Sequence, residues 1–142
     1  MKRTNKFLLS FILFILVLSL SSCTQKGKKV EYYSNEENYI EVSGTINHVV
    51  FNDESQSLYI GFSNLSETLD DICFKIVGEN YSIIIREFKN YVEIGKVATF
   101  ITAPRYFGDA YVMPIVSLSI DGTQLLEYEE GLSNFLVWLK NS

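Results

Sequence analysis

From Tyr39 onward, apolar side chains recur at every second position, and no other feature of the chain constrains its fold as tightly. A strand turns successive side chains to opposite faces, so period two marks a sheet with one face buried and the other wet. In IEVSGTINHV, Ile40, Val42 and Ile46 share one face, while Glu41, Ser43, Thr45 and Asn47 share the other. Gly44 interrupts this strand, which predicts a bulge or a sharp coil there. NDESQS, Asn52 to Ser57, is turn chemistry. LYIGFS then sets Leu58, Ile60 and Phe62 against Tyr59, Gly61 and Ser63, so the economical reading is a hairpin. After the polar loop SNLSETLDD, ICFKIV alternates again through Ile72, Phe74 and Ile76.

The period then changes. In NYSIIIREFKNYVEIGK, Ile84, Ile85, Phe88 and Val92 fall at helical spacing, which predicts a helix with Ser82 as N-cap and Gly95 as its stop. The isoleucines are β-branched and also suit the start of a strand. Two longer strands follow, KVATFITAPRY and AYVMPIVSLSID, joined at FGDA by Gly108 and Asp109. Pro104 and Pro114 confine those stretches to edges, ends or bulges. Three strands, one helix and two strands is the order of the OB-fold, a mainly β, five-stranded Greek-key barrel with its helix between strands three and four.

At this point the chain resembles bacterial lipoproteins and secreted proteins of the tRNA-anticodon-binding-like OB-fold group. The resemblance rests on the glycine-interrupted first strand, a helix closing on EIGK, a KVATF strand and the aromatic-glycine hairpin RYFGDAY, over Tyr39 to Asp121. It implies an OB barrel and no single activity, because the group's name records a structural likeness.

The N-terminus speaks to location. Lys2, Arg3 and Lys6 precede a run from Phe7 to Leu20 in which only Ser10 and Ser19 are not strongly apolar, the layout of a secretion signal over residues 1–22. A membrane span needs roughly 20 apolar residues, and Ser21, Ser22 and Cys23 stop this run short. The alternative is an uncleaved anchor helix in which Cys23 is incidental. Leu20-Ser21-Ser22-Cys23 resembles the bacterial lipobox, which implies diacylglycerol and palmitate-type chains on Cys23 and an extracytoplasmic, membrane-anchored product. Thr24 stands where an inner-membrane retention aspartate is found in some such proteins.

Without residues 1–22, nine bases face seventeen acids, a formal charge of −8 on 120 residues. That length serves one core. The charge repels phosphate backbones and argues against a polybasic grip on anionic lipid. With Cys23 spent on lipid, Cys73 has no intrachain partner, so it reads as a small strand side chain. Residues 23–38 read as the lipidated cysteine and a polar tether, with Tyr32 and Tyr33 resting on the membrane or on the domain. The domain is 39–142. Its tail predicts a short helix or added strand over Phe135 to Lys140, capped by Ser133, with Phe135, Leu136, Trp138 and Leu139 as a core flap, a partner-binding or membrane-touching tail being the alternative.

Nucleophilic catalysis needs a base beside the nucleophile, and the single histidine, His48, lies inside the first strand. Asp53-Glu54, Asp70-Asp71 and Glu127/Glu129/Glu130 lack the spacing that wraps calcium, so neither metal nor cofactor is implied. OB barrels bind on the face of strands two and three and with the loops between strands one and two and strands four and five. Here that surface comprises Phe51, Asn52, Tyr59, Lys75, Arg105, Tyr106, Phe107 and Tyr111. The expectation is a non-enzymatic binding or scaffolding module for an envelope protein or glycan. A reader of single-stranded nucleic acid is the alternative, ahead of an envelope hydrolase.

Overall fold

The computed structural model describes residues 10, 12, 26–69, 73–104 and 112–142. Helix α1 occupies residues 26–34, and a short 3-10 turn, Glu36–Asn38, leads into the sheet. The strands are β1 (Ile40–Asn52), β2 (Ser57–Ser63), β3 (Cys73–Val77), β4 (Val97–Thr102), β5 (Val112–Ile120) and β6 (Thr123–Leu126). Helix α2 (Gly78–Ile83) follows β3, and α3 (Tyr128–Asn141) ends the chain. Among the described residues no helix is long and apolar enough to cross a membrane.

The strands run in the order β3-β2-β1-β4-β5, and a parallel β3–β5 pairing closes them into a mixed five-stranded, OB-fold-like barrel. β6 is an extra strand on β5. β1 is long enough to serve two neighbours, pairing with β4 from Ile40 to Thr45 and with β2 from Thr45 to Asn52. The extra residue in β1 is Asn47, between Ile46 and His48, and not Gly44, which faces inward below Leu65. The bulge flips the strand's parity, so Val49 and Phe51 become the inward residues and His48 and Val50 face out.

Inside the barrel, β2, β3 and β4 each contribute a phenylalanine. Phe62 stacks on Phe100 at 4.4 Å, and Phe74 meets both rings edge-on. Such pairs add roughly 0.5–1.5 kcal/mol each beyond the area they bury. Tyr81 and Ile84 from the segment after β3 bury themselves against this core.

That segment differs from the expected helix. It begins at Gly78, whose φ of +61° turns the chain off β3, and its N-cap, Val77, makes no side-chain bond. Ser82 therefore lies inside the helix rather than capping it. Within the isoleucine run only Ile83 is α-helical, for Ile84–Phe88 widens into a π turn before a 3-10 turn, Lys89–Tyr91.

A second apolar cluster lies outside the barrel wall, where Tyr33, Val77, Ala103, Val116, Leu132, Phe135 and Leu139 are all buried. It corrects two expectations. The tail helix begins at Tyr128 behind Glu127, not at Ser133, because Leu125 and Leu126 belong to β6. The 23–38 segment is no loose tether over its described part, since α1 delivers Tyr33 edge-on to Phe135 at 5.3 Å. Tyr32 donates to the Pro104 carbonyl at 2.8 Å, so these rings rest on the domain.

α3 lies so close to β5 that a Cβ on Gly131 would stand 1.8 Å from the Val116 carbonyl oxygen. Gly131→Ala is expected to cost about 3 kcal/mol in urea unfolding, the upper range for overpacking. Gly27 is exposed in α1 with nothing within 4 Å of its would-be Cβ. Gly27→Ala should stabilise α1 by about 0.5–1 kcal/mol, which a thermal melt of the same protein checks.

Candidate functional site

Tyr59 and Lys75 are cross-strand partners on β2 and β3, and Val50 on β1 pairs with Tyr59 from the other side. The alternation that buries Leu58, Ile60, Phe74 and Ile76 turns this row outward. Beyond Lys75 the row meets α3. The Lys75 ammonium sits 5.5 Å from the centre of the Tyr59 ring and 5.4 Å from that of Trp138. One cation thus bridges two aromatic faces, each contact being worth about 0.5–1 kcal/mol when half exposed.

Trp138 was read from the sequence as part of a core flap. It is half-buried, stacks on Phe135 at 6.1 Å and borders the strand face as well. Its contact with Lys75 spans the length of the domain, so only the docking of α3 reveals it. That docking is specific. Asn80, 1% exposed, donates to the Gly131 carbonyl at 2.8 Å and accepts from the Asn134 amide at 3.0 Å, tying α2 to α3. A polar side chain this buried is stable only with its bonds made. Gly78 is the contact point below, where a side chain would press on Trp138 at 3.1 Å.

The remaining expected residues are more scattered. Phe51 lies on the inner side of β1 against the core, with the Lys89 ammonium 5.3 Å above its ring, and so does not join the outward row. Asn52 is exposed at the end of β1, where its side-chain Oδ1 accepts from the Ser55 backbone amide and shapes the hairpin turn. Arg105, Tyr106, Phe107 and Tyr111 lie outside the described residues, as do Cys23 and the FGDA turn. The structure thus brings together Tyr59 and Lys75, and adds Val50 and Trp138.

Two groups bear on chemistry. Cys73 is a half-buried free thiol, and burial, the largest effect on it, pushes its pKa up, away from the thiolate a nucleophile needs. His48 is exposed and pairs across the sheet with Gly61, which offers no side chain to activate. Among the described residues no three His, Cys, Asp or Glu side chains are arranged to hold a metal ion.

The hairpin turn next to the row is clamped to α2, for the Tyr81 hydroxyl donates to Asp53 Oδ1. Burial first, then this carboxylate, push the Tyr81 pKa up to about 12. The folded state therefore holds the phenolic proton more tightly than the unfolded chain, whose tyrosine titrates near 10. Stability from this group is complete below about pH 10 and is lost as pH rises towards 12. Urea unfolding measured across that window should show falling stability, and Tyr81→Phe should remove this group's share of the slope.

No family model, curated protein or solved structure matches the chain, so the use of this face is argued from its own residues.

Proposed function

We propose that this chain is a lipid-anchored, extracytoplasmic binding or scaffolding module of the OB-fold lipoprotein kind. It acts without catalysing a reaction, and its partner is an envelope protein or glycan. The observation that carries the binding half is the outward row of Val50, Tyr59, Lys75 and Trp138. Its aromatic faces offer apolar area at low entropic cost, and the cation between them orients a polar group of the partner. The location half is supported by the basic start, the apolar run and Leu20-Ser21-Ser22-Cys23. The raised Cys73 thiol and the unassisted His48 favour binding over nucleophilic chemistry.

Crosslinking in intact cells followed by pull-down tests this reading. The wild-type chain should capture a discrete partner, and Tyr59→Ala/Lys75→Ala should capture at least about tenfold less while retaining its circular dichroism, the scale expected for a hot-spot pair. Undiminished capture by that variant removes the face from the site. A salt-sensitive gel shift with oligonucleotides, which phosphate contacts would produce, reassigns the partner to nucleic acid.

A further inference from the structure

The bases outside the signal are unevenly placed. Lys26, Lys28 and Lys29 fall within four consecutive residues of α1, although the chain from Cys23 onward is acidic overall. Lys26 and Lys28 are exposed, and Glu31 is the only acid between residues 26 and 34. The C-terminal end of this helix is held fast. Tyr33 is 4% exposed in the outer core, and the Tyr39 hydroxyl donates to its carbonyl at 2.8 Å. The Asn38 side-chain amide donates to the Tyr32 carbonyl at 2.8 Å, fixing the turn that follows. α1 is therefore part of the domain's body, with its lysines in the described turns farthest from Tyr33.

We propose that α1 is a lysine foot that rests on the anionic headgroups of the bilayer and holds the barrel in one orientation above it. The proposal rests on reading Cys23 as the lipid-bearing residue. Cys23 and Lys26 are three residues apart, and a chain spans at most about 3.6 Å per residue, so their Cα atoms lie within about 11 Å of each other in any conformation. That is about one Debye length at 0.1 M salt, so an anchored cysteine places these lysines inside the surface potential of the membrane. Along α1, at about 1.5 Å per residue, Tyr33 lies roughly 10 Å beyond Lys26. Sixteen of the seventeen acids lie outside residues 26–34, and the same surface repels them. Attraction at the foot and repulsion at the body select one orientation, which the docked Tyr33 transmits to the whole barrel. The net acidity that argues against a grip on lipid is thus a sum over two regions of opposite sign.

Trp138, the single tryptophan, reports the geometry because α3 carries it beside Phe135, on which Tyr33 packs. The lipidated protein is reconstituted into vesicles of phosphatidylcholine alone, or with phosphatidylglycerol, each carrying a dansyl headgroup as energy acceptor. Transfer from Trp138 should differ between the two lipids, and Lys26→Gln/Lys28→Gln or high salt should return it to the phosphatidylcholine value. Taking about fivefold per lysine, the double variant should reduce the foot-down population ratio about 25-fold. Lys26→Arg/Lys28→Arg keeps the charge and should behave as wild type. Equal transfer in both lipids, or an undiminished response in the glutamine variant, overturns the foot while leaving the anchor standing. The mass of the N-terminal peptide separates the two readings, since an unmodified Cys23 overturns the anchor and the foot with it.

Discussion

The structure hangs on the pairing of β3 with β5. Among the described residues, Cys73, Phe74 and Lys75 run parallel to Val112, Met113 and Pro114, and this ladder turns an open sheet into a barrel. Without it β3 and β5 would each present an unpaired edge, and the phenylalanines of β2, β3 and β4 would face no opposite wall. Parallel neighbours cannot be joined by a tight turn, so the chain must travel between them. It does so through α2 and β4. Phe74 and Met113 point from the ladder into the core, while Lys75 emerges on the outer side. The residues that close the barrel therefore also build its candidate face.

A barrel of this size leaves apolar side chains on its outer wall, and helices α1 and α3 cover them. Val116 is outward because a bulge in β5 between its pairings with Ile101 and Thr102 reverses the strand's parity, and α3 lies on it at backbone distance. α1 then lays Tyr33 against Phe135. Burial, the main cause, raises the pKa of both Tyr39 and Tyr128, whose rings meet edge-on at 6.2 Å, so this layer is dry enough to disfavour a phenolate. Helices α1 and α3 thus meet in one outer core.

Legibility followed the range of the interaction. Alternation in LYIGFS and ICFKIV states which residues face the core, and Tyr59 and Lys75 could be assigned to the outer face because period two depends on the backbone alone. The bulge was misplaced at Gly44, since glycine is only one of the reasons for a bulge, and Asn47 carries no mark that distinguishes it. β6 went unread although Asp121 and Gly122, both at positive φ, form the Asp-Gly turn that commonly joins a hairpin. That signal was local and available. Tyr33 and Trp138 were another matter, because nothing in KGKKVEYYS or NFLVWLK names a partner more than sixty residues away. Composition read the first as tether and the second as flap, while each takes its role from a contact distant in sequence.

α3 connects these observations. Its inner face, through Leu132, Phe135 and Leu139, packs on the barrel wall and receives Tyr33 from α1, while Trp138 on the same helix reaches Lys75 at the edge of the strand face. Asn80 and the close approach of Gly131 fix how far the helix can slide or turn. Tyr33 on α1 and Lys75 on the strand face are consequently linked through one helix, by way of Phe135 and Trp138. On the proposed reading, the angle at which the face meets a partner is then set by the packing of α3, and the lipid anchor supplies position within the envelope as well as residence there.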